Sequence, residues 1–280
     1  MIFGVLCFAQ LYFICSTNNS ASYGYVLTCE SNGTNISTGE NTLKKEEEKK
    51  EVNFISKTIV GFFLIVIIKK LFPHAIPVPF FYWRDVHSNI IQVVSSAIPV
   101  FSFGIIYTFL VKAITKNNKS DNKDAEEKFV VSIISSLIAG VTEEIAFRWI
   151  LFLIGIVGIQ ISDYLLGGFI FGHGLLHWLY TICAIPLADI LTFHQLTPYL
   201  YNPLSWAIGG SIISTNAKFR DGHSYQGVIG WIDSWFFGIF MYKVVWECGL
   251  LNAIIVHTTY NIVIHLIVYI DRKIEQKLFD

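Results

Sequence analysis

Long apolar runs separated by short polar stretches dominate this chain, and the runs are continuous rather than alternating. Continuous runs of about 20 residues fit helices that cross a membrane, because a helix satisfies its own backbone polar groups where no water can. The pattern predicts spans at about 54–72, 88–114, 129–159, 161–183, 203–216, 227–247 and 250–270. Pro73, Pro77 and Pro79, followed by Phe80, Phe81, Tyr82 and Trp83, predict an interfacial turn with an aromatic belt. Residues 184–226, with Pro186, Pro198 and Pro203, read as an irregular insert around one short span. The expected fold class is all-α: a polytopic transmembrane helical bundle of about seven to eight helices around a buried polar site.

The flanks differ in kind. Residues 1–16 form a short apolar stretch without a basic start, read as a signal peptide or signal anchor. Residues 17–53 are polar, end in the charged block Lys44–Glu51, and hold too little apolar surface to fold, so disorder is expected. Asn18, Asn32 and Asn35 each open a glycosylation sequon, which points to an endomembrane such as the endoplasmic reticulum. The multi-pass membrane domain is expected over 54–270, with a charged C-terminal tail at 271–280. Lysines before the first span and in the 112–128 loop favour a cytosolic position for both, whereas a cleaved leader would put both in the lumen.

Composition agrees with the pattern. The chain is 53% hydrophobic and 15% charged with a mean hydropathy of +0.53, too apolar for an ordinary soluble domain. Its net charge of −1 argues against nucleic acid as a partner. Cys7, Cys15, Cys29, Cys183 and Cys248 form no close-spaced pair and read as packing residues. Asp163, Asp189, Asp233 and Glu247 fall near span ends and are expected at the interface.

Against this background, two carboxylates and a guanidinium within six residues of an apolar run demand a purpose. A charge at membrane depth costs on the order of 3 kcal/mol, so it is kept where it meets a partner or a cavity. Glu144 and Arg148, four apart on a helix, can pair on one face while Glu143 points about 100° away and stays free to meet water as a general base. In the second constellation, Phe169, His173 and His177 recur at every fourth position, a spacing that can hold a metal if a carboxylate comes from another helix. The third is His257 with Asn261, which could stabilise the oxyanion formed when water attacks a carbonyl.

Glu-Glu-x-x-x-Arg at Glu143, Glu144 and Arg148, Phe-x-x-x-His at Phe169 and His173, and His-x-x-x-Asn at His257 and Asn261 follow in this order. Together they resemble the CPBP family of intramembrane endopeptidases, which includes the type II CAAX prenyl proteases and the bacteriocin-processing Abi proteins. The resemblance covers residues 129–270, and a second alignment sets the histidine of the middle motif on His177. It implies hydrolysis of a peptide bond in a membrane-associated or prenylated peptide or protein. Glu143 and a histidine would activate water, Glu144 and Arg148 would orient them, and His257 with Asn261 would act on the oxyanion. A set of Glu143, His177 and His257 would hold a divalent metal such as zinc as readily as it would serve without one. A non-catalytic polytopic scaffold or binding protein is the competing expectation, and a transporter or channel is the third.

Overall fold

A helix that lies in lipid can be as apolar outside as inside, and that is how the first helices of this protein are built. The computed structural model describes residues 56–114 and 125–279. α1 (residues 56–71) buries Ile65 and Ile68 and exposes Ile59, Val60, Phe63 and Ile67. α2 (Ile90–Ile114) buries Ala97 and Val100 and turns Ile90, Ile91, Val94 and Ile98 outward. No polar stripe covers either outer face.

α3 (Ala125–Glu143) runs through a wider, π-helical stretch (Glu144–Leu151) into α4 (Phe152–Asp163) without leaving helical geometry. The rod breaks only at Leu166 and Gly167, where Gly167 takes φ +105°, a conformation that glycine adopts without a Cβ clash. α5 (Leu175–Leu191) follows, then the single turn α6 (Thr197–Leu200), α7 (Trp206–Gly222), α8 (Gly227–Cys248) and α9 (Leu250–Phe279). α8 packs along α2, α9 along α3, and α7 along α4 and α8. The described residues are all-helical or turn, with no strand among them, and the result is a helical bundle.

Four helical segments among the described residues are long and apolar enough to cross a membrane: Ile90–Val111, Phe129–Phe171, Ser224–Cys248 and Leu250–Asp271. The other expected spans are shorter. Residues 56–71 reach about 24 Å at 1.5 Å per residue, below the roughly 30 Å of a hydrocarbon core. α7, expected as a span at 203–216, is a 17-residue interior helix that buries Ser211, Thr215 and Asn216. The boundary expected between spans near residue 160 lies instead beyond Asp163, because helical hydrogen bonding continues to the glycine break. The expected tail at 271–280 is the end of α9, which continues to Phe279. The leader at 1–16 and the polar segment at 17–53 lie outside the described residues.

The proline-rich turn packs inward as well as marking a helix end. Phe80, Phe81 and Trp83 surround Trp149 at ring distances of 5.3–5.4 Å, and Trp149 Nε1–H donates to the Phe80 carbonyl at 2.9 Å. This clamps the 73–85 segment onto the π-helical stretch. Cys183 is exposed rather than packed, while Cys248 is buried.

Candidate active site

Wide-turn helical segments are uncommon and tend to sit at functional sites, and this one carries the first charged motif. Its i to i−5 spacing appears in the Phe152 N–H donating to the Phe147 carbonyl. Two hydroxyls serve the same stretch from outside: Tyr242 donates to the Phe147 carbonyl at 3.2 Å and Tyr82 to the Arg148 carbonyl. Burial pushes the Tyr82 phenol well above its ordinary range, so it remains a donor. The rod is therefore pinned from α8 and from the 73–85 turn at the position where its charges lie.

Glu144 and Arg148 are fully buried, and Glu143 and His257 are 3% and 2% exposed. Arg148 Nη1 stands 3.4 Å from Glu144 Oε1, the intrahelical pair expected from the spacing. That pair is close without being aligned as a hydrogen bond: Arg148 Nε and Nη1 and Glu144 Oε2 have no hydrogen-bond partner. Arg148 Nη2 donates to the Gly238 carbonyl at 3.3 Å, and the guanidinium lies 4.1 Å from the centre of the Phe219 ring. The cation is held by a carbonyl and an aromatic face as much as by its carboxylate.

His257, from α9, lies between the two glutamates. Its Nδ1 is 2.7 Å from Glu144 Oε1 and its Nε2 is 3.7 Å from Glu143 Oε2, with Phe237 edge-on to the ring at 4.7 Å. Glu143 and Glu144 point in different directions from α3, yet an imidazole is long enough to face both. Asn261, one turn further along α9, is half-buried and makes no hydrogen bond to this cluster.

The pair His173 and His177 lies elsewhere, contrary to expectation. The Asp163 carboxylate accepts from the Gly174 N–H at 2.9 Å and the His177 N–H at 2.6 Å, which ties the pair to the far end of α4. From Glu144 to Asp163 the rod rises roughly 28 Å at 1.5 Å per residue. The two imidazoles stack at 4.0 Å, and His177 meets Trp206, the first residue of α7, edge-on at 5.0 Å. A zinc site from Glu143, His177 and His257 is thus not assembled, and among the described residues no three histidine, cysteine or acidic side chains are arranged so as to hold a metal ion.

α7 carries a second occurrence of the middle motif's spacing. Starting beside the histidine pair, it returns antiparallel to α4, with Ser211 donating to the Phe152 carbonyl at 2.7 Å, and delivers Phe219 onto Arg148. Phe219-Arg-Asp-Gly-His223 repeats the Phe-x-x-x-His spacing that was sought at 169–173. His223 packs on Phe219 with ring centres 4.5 Å apart, and its Nδ1–H donates to the Phe219 carbonyl at 2.8 Å. Tyr225, 6.1 Å from His223 ring to ring, is exposed at 37% and lies within electrostatic range of Glu143. A search for every occurrence of the spacing, rather than the first, would have found this histidine.

Other residues were legible only in three dimensions. Asn216 donates to the Trp235 carbonyl at 2.9 Å, and its Oδ1 would lie 2.1 Å from a Cβ on Gly238, with Arg148 Nη2 at 3.2 Å from the same point. Gly238 is what lets α8 approach this close. Gly238→Ala is expected to cost about 1–3 kcal/mol through overpacking, read as a lower thermal midpoint in detergent. Asp163, Asp189 and Asp233, expected at the interface, are 6%, 6% and 9% exposed. Asp163 caps α5, Asp189 accepts from Thr197 at 2.6 Å and contacts His194 Nδ1 at 2.7 Å, and Asp233 accepts from Tyr260 at 3.2 Å. Each short carboxylate has found donors, which is what makes its burial tolerable. The chain matches no protein-family model, no curated protein and no solved structure.

Proposed function

We propose that this protein is a glutamate-dependent intramembrane endopeptidase of the CPBP type, a multi-pass protein of an endomembrane such as the endoplasmic reticulum. It would hydrolyse a peptide bond in a membrane-associated substrate, with prenylated CAAX-type proteins as the substrate class that the resemblance implies. The observation that carries the reading is the buried assembly of Glu143, Glu144, Arg148 and His257 from two separate helices. In this reading Glu143 takes a proton from water, the oxygen attacks the carbonyl carbon, and the proton passes to the leaving amine. Glu144 orients His257 through Nδ1, so that Nε2 faces Glu143 and the reacting water. Arg148 holds Glu144, and Asn261, one turn from His257 on α9, would take the oxyanion. None of these steps requires a metal ion.

The middle motif is assigned to Phe219 and His223, on the strength of the contact between Phe219 and Arg148. Cleavage of a prenylated peptide by purified variants tests this directly. His223→Ala is expected to lower kcat by about 10²-fold or more, whereas His173→Ala and His177→Ala stay within about twofold of the parent. Loss of activity in the His177 variant with full activity in the His223 variant would reverse the assignment. The competing reading, a non-catalytic polytopic scaffold, draws on the near-complete burial of the cluster. It requires that no glutamate substitution change any cleavage.

A further inference from the structure

Two of the long apolar helices begin side by side. α2 starts at Ile90 and α9 at Leu250, and at their heads lies a cavity of about 450 Å³ lined by Val86, His87, Ser88, Asn89, Gln92 and Asn252. Five of these six carry hydrogen-bonding side chains, and none is a carboxylate, a lysine or an arginine. Next to it both helices present hydrocarbon: Ile90, Ile91 and Leu251 are more than 70% exposed, and Val94 and Ile255 follow one turn deeper. A polar hollow bordered by outward-facing aliphatic side chains suits an amphiphile.

The hydrogen-bond inventory narrows the headgroup. Asn252 spends its amide donors on Ser88 Oγ at 3.1 Å and the Cys248 carbonyl at 2.7 Å, which leaves Oδ1 as an acceptor. Gln92 donates from Nε2 to the Glu247 carbonyl at 3.1 Å, which leaves Oε1 as a second acceptor. Asn89 is reversed: its Oδ1 accepts from the Gln92 N–H at 2.9 Å, so its amide N–H groups remain donors beside the His87 imidazole. Two side-chain acceptors with no donor of their own to satisfy them suit a primary ammonium, and adjacent neutral donors suit a phosphodiester.

We propose that this cavity binds the headgroup of an aminophospholipid, with the ammonium toward Asn252 and Gln92, the phosphate toward Asn89 and His87, and the acyl chains along the aliphatic faces of α2 and α9. No lining residue belongs to the Glu143 cluster, so the proposal stands or falls separately from the peptidase reading.

The test is native mass spectrometry of the full-length protein in detergent with dioleoyl phosphatidylethanolamine, its N-monomethyl and N,N-dimethyl derivatives, dioleoyl phosphatidylcholine and dioleoyl phosphatidylglycerol. Each methyl removes one N–H donor while the charge stays. Affinity is expected to fall stepwise, by about tenfold from ethanolamine to choline, with the glycerol lipid weakest. Gln92→Met, at an exposed position, is expected to shrink the ethanolamine-to-choline ratio to about two. Equal binding of the ethanolamine and choline lipids, tighter binding of the glycerol lipid, or an unchanged ratio in Gln92→Met would each overturn the assignment.

Discussion

Replacing Glu143 with glutamine is expected to reduce peptide cleavage by about 10³-fold or more while leaving the fold intact. The amide has the volume of the carboxylate but cannot take a proton from water. Glu143 is also the member of the cluster whose loss should cost least in stability. Its Oε2 lies 3.7 Å from His257 Nε2, too far for a hydrogen bond, while Glu144 and Arg148 hold each other. Exchanging a buried carboxylate that makes no hydrogen bond for a neutral amide of the same volume is neutral to mildly stabilising. The measurement is kcat on a prenylated peptide beside the thermal midpoint of the same preparation. Undiminished kcat would falsify the assignment of Glu143 as the base; a lost fold would instead show Glu143 to be structural.

Arg148→Leu is expected to give the largest loss of stability in the molecule, about 3–5 kcal/mol. The guanidinium is fully buried, and it is the cation that faces Glu144. Its removal leaves two buried carboxylates to share whatever protons His257 can supply, and it strips the Phe219 face and the Gly238 carbonyl of their partner. Arg148→Lys is expected to recover only part of this. An ammonium cannot lie flat on Phe219 while reaching both a carboxylate and a carbonyl on opposite sides. Thermal unfolding of the three proteins in one detergent ranks them, and a lysine variant as stable as the parent would show that the charge alone matters. Glu144→Gln in the Arg148→Leu background is expected to restore stability, because it removes the uncompensated charge rather than adding a contact.

The two experiments separate roles that the geometry couples. Glu144 and Arg148 work through position: they fix the imidazole and their own helix turn, and Tyr82 and Tyr242 secure that turn from outside. Glu143 faces His257 Nε2 without a hydrogen bond, the place where the proposed reaction would move a proton. A cluster of this kind has a requirement common to buried polar sites, namely that every supporting donor and acceptor be in place before the reactive group is useful. The close contact among Asn216, Gly238 and Arg148 belongs to that support, which is why a single added methyl at Gly238 is expected to be felt.

The order of elements along the chain was readable because hydrophobicity in lipid is a one-dimensional property. Residues 88–114, 227–247 and 250–270 were expected as spans and correspond to α2, α8 and α9 within a few residues. Glu144 and Arg148 were expected to pair because helix geometry sets the spacing of i and i+4 whatever surrounds it. Two kinds of feature were not readable. One was burial: the segment 203–216 was expected as a span and Asp163, Asp189 and Asp233 at an interface, and only packing against neighbours shows α7 and these carboxylates buried. The other was partnership between distant positions.

The sequence alone therefore determined that this is a helical bundle with several helices suited to a membrane, and that its few buried charges include a glutamate pair and an arginine on one helix. Local spacing and local hydropathy decide both. The tertiary structure decided which histidines share space with those charges. His257 reaches them because α9 packs along α3. His173 and His177 do not, because Asp163 anchors them at the other end of a rod too stiff to fold back. Phe219, which carries His223 on its ring, reaches Arg148 only because α7 runs antiparallel to α4. Distance along a chain carries no information about approach once a helix of some 30 Å intervenes, and only the packing of whole helices supplies it.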